Sequence, residues 1–278
     1  MTETPWQLKV LKKSLKKKEK IRILDRILSE NPGRTALDLG CAQGTLSFFL
    51  RRKGGFWVST DQDFVNLETS LPLLGDNLVQ MPPDVLPFRT ECFDEAACLD
   101  YLEHVENDEA CLAEIARVLN PGGELILITP RTGKYVLIHK LRAALGLTLD
   151  YFGHKREGYV PEELDQKLLR AGLRPFHRTS YSKFFSEFFE LLLNFVYIRF
   201  FSKAPAAGRR DGRIKPSTKE EYAAQAGNLR AYAAAYPFLW LFCRMDHLLF
   251  FHKGNALVVR ARKTDPAGLD SPAEGRLS

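Results

Sequence analysis

The stretch ALDLGCAQGTLSFFL, from Ala36 to Leu50, decides the fold, because an apolar run passes through two glycines into an amphipathic pattern. The apolar run that ends at Leu39 predicts a buried strand, and Leu46, Phe49 and Leu50 recur at helical spacing. The sequence therefore predicts a strand, a tight turn and a helix. Glycines in such a turn permit positive φ and let a ligand approach the backbone where the helix begins.

The spacing of the two glycines limits which ligand the turn can bind. A dinucleotide fingerprint requires G-x-G-x-x-G and a phosphate loop requires G-x-x-x-x-G-K-S/T, and GCAQG satisfies neither. An α/β turn without a ligand is the alternative for the loop alone. The segment resembles motif I of the class I S-adenosylmethionine (SAM) dependent methyltransferases, D/E-x-G-x-G-x-G. The matching residues are Asp38, Gly40, Ala42 and Gly44, and Ala42 is the one departure.

Three further segments extend the resemblance beyond the loop. A second predicted strand, Phe56 to Thr60, ends at Asp61, where an acid can accept hydrogen bonds from ribose hydroxyls. The segments FDEAACLDYLEHVEND (Phe93 to Asp108) and EIARVLNPGGELILITP (Glu114 to Pro130) match the fourth strand, the following helix and the fifth strand of type-11-like methyltransferases. The chain is identified as containing a domain of that family over about residues 34 to 183, with the last strand near 255 to 263.

Strand and helical patterns alternate between residues 21 and 130, which predicts βα units and a mainly parallel sheet. The expected fold is α/β: a Rossmann-like, seven-stranded, mostly parallel sheet with helices on both faces and an apolar helical insertion before the last strand. A chain of 278 residues with 45% apolar content can bury such a core. The predicted segments are a basic amphipathic helix (1–30), the SAM-binding core (31–183), the insertion (184–254), the final strand (255–263) and a flexible tail (264–278).

The resemblance implies SAM as the cofactor and assigns its binding to residues near the predicted strand ends. Relatives carry G-D-A and then L-P-F beside the adenine, whereas this chain has VQMPPDVLPF, in which Pro83 lacks an amide donor. We therefore expect Met81 to cover the adenine ring and Asp84 to supply a carboxylate. The full expected cofactor set is Asp38, Gly40, Cys41, Ala42, Gly44, Asp61, Gln62, Met81, Asp84 and Asp100.

Two groups of polar residues are candidates for the chemistry. SAM carries an activated methyl group, so the protein mainly positions a nucleophile and removes its proton. His104, in the family's E-H pair after the fourth strand, is one candidate base, with a structural role as the alternative. The segment YFGHKREGY, Tyr151 to Tyr159, is the other: His154 and Tyr159 are expected to serve proton transfer, and Arg156 to hold an anionic group. An ordinary loop is the alternative for that segment.

The five cysteines and six histidines predict no metal centre. The cysteines are odd in number, form no C-x-x-C pair and lie mostly in apolar runs, which is typical of reduced thiols in a cytosolic protein. Neither residue type shows zinc-ligand spacing. The basic N-terminus is not followed by an apolar run of signal-peptide type, which favours a cytoplasmic location.

Two segments indicate contact with a membrane surface. Seven basic residues and one acid lie between Lys12 and Arg22 on the predicted N-terminal helix, and the net charge of the chain is +6. A solvated helix face is the alternative. The run FFSEFFELLLNFVYIRFF, Phe184 to Phe201, has a polar stripe of Ser186, Glu187, Glu190 and Asn194. Two carboxylates make a lipid-spanning helix costly, so we expect a helix that lies in the membrane interface.

The rest of the insertion fits the same interpretation. A second apolar run extends from Tyr236 to Phe251, and basic residues suited to lipid head groups lie between 203 and 219. Paired helices that form a lid over the active site are the alternative. Nucleic acid is not an expected partner, because phenylalanine-dense helices with acidic stripes do not form a basic binding surface.

These patterns together predict a SAM-dependent methyltransferase acting on an O or C atom of a hydrophobic or lipid-linked acceptor at the cytoplasmic face of the membrane. One alternative is a soluble small-molecule methyltransferase whose apolar insertion is a lid. Another is a SAM-binding scaffold without catalysis, which the altered MPP segment makes conceivable.

Overall fold

A seven-stranded sheet forms the centre of the computed structural model, which describes residues 5–12, 14–30, 32–132, 153–196, 238–249 and 253–264. The strand order is β3-β2-β1-β4-β5-β7-β6. The strands are β1 (Thr35–Leu39), β2 (Phe56–Asp61), β3 (Leu78–Gln80), β4 (Phe93–Leu99), β5 (Leu119–Pro130), β6 (Leu173–Tyr181) and β7 (Ala256–Lys263). Neighbouring strands from β3 to β5 pair in parallel, and β7 is antiparallel to both β5 and β6. The predicted mostly parallel, Rossmann-like sheet is confirmed.

Helices cover both faces of this sheet, as the sequence predicted. The helices are α1 (Trp6–Leu11), α2 (Leu15–Ile27), α3 (Thr45–Arg51), α4 (Phe64–Leu74), α5 (Asp108–Val118), α6 (Pro161–Arg170) and α7 (Phe184–Val196). Successive residues of a strand point to opposite faces. Accordingly, Leu125 and Leu127 of β5 belong to one buried cluster with α5 and α6, while Ile126 and Ile128 belong to a second cluster with α2.

The N-terminal segment forms two helices where the sequence predicted one. α1 ends at Leu11, and α2 begins after Ser14, whose side-chain oxygen accepts a hydrogen bond from the Lys17 amide at 3.3 Å. Serine is a preferred residue at this capping position. Leu24 and Leu28 of this segment lie in the second buried cluster.

The described parts of the insertion pack against each other at its two ends. Residues 238–244 are helical and lead into a 3₁₀ turn at Met245–Leu248. The carboxylate of Asp246 accepts hydrogen bonds from the amides of Lys183, Phe185 and Ser186 at 3.1, 2.8 and 3.2 Å. One side chain from the end of the insertion thus caps the helix with which the insertion begins.

Several predictions fall on residues outside the described ranges. These are the basic residues between 203 and 219, the tail from 265 onward, Tyr151, and parts of both apolar runs. Over the residues that the structure describes, no helix combines the length and the apolar character needed to cross a membrane.

Candidate active site

The glycine loop between β1 and α3 has the conformation that its sequence predicted. Gly40, Ala42 and Gly44 all have positive φ, at 73°, 46° and 78°. A Cβ atom on Gly40 would lie 2.4 Å from Cδ2 of Tyr101, and one on Gly44 would lie 2.9 Å from Cβ of Ser70. A larger residue at either position would clash with these protein atoms. Both glycines are therefore required by the packing of the protein itself, in addition to any need for ligand space.

Asp38 carries the clearest sign of a missing partner near this loop. Its side chain is buried, and its Oδ2 atom accepts no hydrogen bond from the part of the chain that the structure describes. Burial raises the pKa of this carboxyl group to about 6. A buried polar atom without a partner is costly and calls for a ligand or water. Asp38 thus fits a role at a cofactor site.

Asp61 lies at the end of β2 and holds the glycine loop in place. Its Oδ2 atom accepts a hydrogen bond from the Ala42 amide at 2.9 Å. Its Oδ1 atom accepts from the Asp63 amide at 2.9 Å and from the Asn66 side chain at 3.1 Å. An ionised carboxylate offers about four acceptor positions. The three donors just named occupy three of these acceptor positions, which leaves about one position for a ribose hydroxyl.

The expected adenine-binding residues lie beside Asp61. The Met81 amide donates to the Asp61 carbonyl at 3.1 Å, and the Met81 side chain is buried in the larger core cluster. Gln62 is exposed, and its carbonyl accepts a hydrogen bond from Gln80 at 3.2 Å. Asp84 is partly buried, one residue after Pro83, whose carbonyl accepts a hydrogen bond from the Tyr101 hydroxyl at 3.4 Å. The adenine contacts remain a prediction.

Cys41 is a structural part of the loop. Its thiol is buried, and burial raises its pKa well above the ordinary value. Its amide donates to the Thr60 carbonyl at 2.8 Å, which ties the loop to β2. Cys41 therefore lies next to the expected position of the methionine part of SAM, and its thiol is not a reactive thiolate.

A cluster of polar side chains lies where β4 and β5 end. Glu103 is buried and accepts a hydrogen bond from the Thr129 hydroxyl at 3.1 Å, and burial raises its pKa to about 7. Nδ1 of His104 lies 2.9 Å from the Gly153 carbonyl oxygen, and the His104 and His154 rings are in edge-to-face contact with centroids 4.7 Å apart. The structure therefore brings both predicted histidines together at the carboxyl edge of the sheet, where ligands of open α/β folds bind.

The protonation of His104 follows from its neighbours. A carbonyl oxygen can only accept a hydrogen bond, so Nδ1 of His104 carries the proton and Nε2 keeps its lone pair. Burial lowers the pKa of His104 below 6.5. Burial therefore favours the neutral ring, whose Nε2 atom can accept a proton.

The same cluster is the place where a metal ion could be held. Glu103, His104 and His154 each offer one ligand atom, and these atoms all lie within 4.8 Å of one another. The sequence argument against a metal considered cysteine and histidine spacing and did not weigh a buried carboxylate beside two histidines. Absence of a metal stays a prediction.

Tyr159 is not open to an acceptor, contrary to its expected catalytic role. Its side chain is fully buried, and its hydroxyl donates to Asp108 at 2.8 Å. Arg156 pairs with the same carboxylate and lies over the Tyr159 ring, 3.9 Å from its centroid. The carboxylate raises the pKa of Tyr159 in addition to burial. Both residues join the loop to α5 and serve the fold, since burial and neighbouring carboxylates occupy their polar groups.

Lys20 is a residue of the site that the sequence interpretation missed. Its ammonium group pairs with the carboxylate of Asp100, which directly follows β4 and has a φ of 52°. Burial lowers the pKa of Lys20 to about 7. One signal was present: Lys20 precedes Leu24 and Leu28 at four-residue intervals, on the face of α2 that is buried.

The chain resembles methyltransferases both in sequence and in structure. Residues 37–127 match the model of a family described as a methyltransferase domain. A ubiquinone biosynthesis O-methyltransferase of Xanthomonas oryzae pv. oryzae (strain PXO99A) is 35% identical over 105 residues, which are 35% of this chain and 43% of that protein. The protein of the same name from Xylella fastidiosa (strain 9a5c) is 31% identical over 163 residues, which are 54% of this chain and 65% of that protein. The matches thus span less than two thirds of these relatives.

Solved structures share the fold at low sequence identity. A SAM-dependent methyltransferase from Archaeoglobus fulgidus is similar with a TM-score of 0.55 at 13% identity, covering 88% of this chain and 94% of that chain. The [4+2]-cyclase SpnF is equally similar, with a TM-score of 0.55 at 17% identity and coverages of 89% and 81%. The architecture therefore carries more than one chemistry, and the activity has to be argued from the site.

Proposed function

We propose that this chain, whose residues 37–127 match a methyltransferase-domain family, is a SAM-dependent methyltransferase that transfers a methyl group to a hydroxyl oxygen of a hydrophobic, quinone-type acceptor. Two relatives at 31–35% identity are named as O-methyltransferases of ubiquinone biosynthesis, which supports oxygen over carbon as the methylated atom. Bound SAM would supply the methyl group as an activated sulfonium substituent.

The residues of the glycine loop fit this cofactor. Asp38, whose Oδ2 atom has no hydrogen-bond partner among the described residues, and Asp61 lie near the carboxyl ends of the paired strands β1 and β2. We assign the ribose to Asp61, and the methionine part to the loop from Gly40 to Gly44. The full cofactor set is the one given by the sequence, with Asp100 at the end of β4.

The hydrogen bond between Nδ1 of His104 and the Gly153 carbonyl oxygen is the observation that carries the proposal. A phenolic hydroxyl must lose its proton as it attacks the methyl group, and Nε2 of His104 has the free lone pair that can accept it. The Gly153 carbonyl fixes the tautomer, and the edge-to-face contact with His154 limits rotation of the ring. His154 then orients the base or contacts the acceptor.

The activity is tested directly with labelled SAM and a prenylated catechol as the acceptor. We expect transfer of label to a catechol oxygen, and loss of transfer in His104→Ala with SAM affinity retained. Binding of SAM without transfer to any catechol, flavonol or phenol would favour the non-catalytic scaffold. In a deletion strain, mass spectrometry of extracted lipids should find a quinone species that is lighter by one methylene group.

The location of the acceptor is part of the same proposal. Large apolar side chains on the described ends of the insertion are exposed; these are Phe184, Phe188, Leu192, Phe238, Leu241, Met245 and Leu248. Phe184, Phe188 and Leu192 are four residues apart and so share one face of α7. Glu187, which the sequence placed on the polar stripe of this helix, is buried and accepts a hydrogen bond from Ser182 at 2.6 Å. At Glu187 the stripe faces the protein, which supports lipid contact through the exposed apolar side chains.

Flotation with anionic liposomes tests the membrane contact. We expect the wild-type chain to float, and a variant with Phe184→Asp, Phe188→Asp and Leu192→Asp not to float, because interfacial binding scales with buried apolar area. Leu169→Asp is the matched control, since Leu169 is exposed on α6 and is not part of the insertion. A wild-type chain that does not float would favour a lid over the site.

A further inference from the structure

The N-terminal helix α2 inserts one charged side chain into the edge of the sheet. Lys20 is buried, with 10% of its side chain exposed, and its ammonium group pairs with Asp100. The two residues are 80 positions apart in the chain, so this contact fixes α2 relative to the end of β4. A buried ammonium is rare unless it is paired, and its position is therefore closely determined.

Lys20 also faces the carboxylate that precedes the candidate base. Glu103 is 1% exposed and interacts electrostatically with Lys20. Glu103 directly precedes His104 in the same 3₁₀ turn, Leu102–His104. Its backbone carbonyl accepts a hydrogen bond from the Lys155 amide at 2.8 Å, next to His154. A displacement of Glu103 would therefore move both histidines.

A second lysine on the same face of α2 reaches the apolar insertion. Lys16 lies one helical turn before Lys20, and its ammonium group is 2.9 Å from the carboxylate of Glu187 on α7. Residues four positions apart are neighbours on a helix surface. α2 thus contacts the insertion through Lys16 and the end of β4 through Lys20.

We propose that Lys20 is a positioning residue of the methyl-transfer site: by pairing with Asp100 and facing Glu103, it fixes the turn that carries His104. This inference rests on the proposed function for its catalytic consequence. Its structural part, the dependence of the 100–104 turn on α2, stands apart from that function and is measured separately.

Three variants test the positioning role. Lys20→Met removes the charge and keeps most of the stem, Lys20→Arg keeps the charge, and Arg22→Met is the control on the exposed side of the same helix. With a prenylated catechol and SAM, we expect Lys20→Met to lower kcat by about 10- to 100-fold with the acceptor KM within about threefold, because small misplacements of catalytic groups have effects of this size. Lys20→Arg should recover most of kcat. Equal kcat in Lys20→Met and Arg22→Met would overturn the proposal.

Amide hydrogen exchange separates this inference from the proposed function. In the presence of S-adenosylhomocysteine, exchange over residues 15–27 and 100–104 should be faster in Lys20→Met than in the wild type, and unchanged in Arg22→Met. A wild-type chain that methylates no probe refutes the proposed function, while faster exchange confined to these two segments still supports the placement of Lys20. Unchanged exchange in Lys20→Met refutes the inference, and faster exchange throughout the sheet would assign Lys20 a general structural role instead.

Discussion

Replacement of Asp61 by asparagine tests the cofactor site most directly. Three of about four acceptor positions of this carboxylate are used by the Ala42 amide, the Asp63 amide and the Asn66 side chain. One position remains for the ribose, so at least one hydrogen bond to a charged acceptor is lost, about 1.5–3 kcal/mol. The asparagine NH2 group also faces a hydrogen-bond donor of the protein on either side, which adds to the loss. The dissociation constant for S-adenosylhomocysteine should therefore rise by at least about 10-fold.

The assay is titration calorimetry of the purified variants, combined with thermal unfolding. Asn66→Ala is the matched control, because it removes one partner of Asp61 and leaves the carboxylate itself in place. We expect this control to bind within about threefold of the wild type, because the carboxylate that would contact the ribose is retained. Asp61→Asn with wild-type affinity and an unchanged melting temperature would refute the placement of the ribose at Asp61.

Four further outcomes follow from the geometry. His104→Ala should lower kcat by about two to four orders of magnitude with cofactor affinity retained, whereas His154→Ala should have a smaller effect; the reverse order would make His154 the base. Because burial lowers the pKa of His104 and only its neutral form accepts a proton, kcat should fall toward low pH with an apparent pKa under 6.5. A fall in kcat with an apparent pKa above that value would contradict the assignment. Gly40→Ala should destabilise the fold by about 3 kcal/mol in urea unfolding, because its Cβ would lie 2.4 Å from Tyr101 at a positive φ; a loss of cofactor binding alone would show that space for a ligand is what matters. Asp246→Ala should cost about 0.5–2 kcal/mol, seen as a lower melting temperature, and no change would mean that water replaces the cap.

The sequence predicts the sheet and the glycine loop because both depend on local chemistry. The apolar runs of β4 and β5 and the turn at Gly40 and Gly44 follow from side-chain polarity and backbone freedom, which neighbouring residues determine. The resemblance to a known family supplied the number of strands and the place of His104 after the fourth strand.

The contacts that the sequence did not predict join distant parts of the chain. Tyr101 packs on Gly40, and Lys20 pairs with Asp100. The two residues of each pair are far apart in the chain, so a short window of sequence does not reveal either contact. Periodicity located the polar stripe of α7, but it gives only the angle around the helix axis, so the sequence did not show that Glu187 faces the protein. Tyr159 was misassigned because a tyrosine on a polar loop fits a site and a core equally well until its burial is known.

The cap that Asp246 places on α7 makes the segment between them an exchangeable module. The hydrogen bond from the Phe185 amide joins residues 61 positions apart, so it holds together the two ends of the chain between them. When two ends are held together, lengthening the connection costs about 0.6 kcal/mol of chain entropy for each doubling of its length. We therefore expect that residues 197–237 can be exchanged for segments of other lengths while the seven-stranded sheet and the capped end of α7 keep their structure.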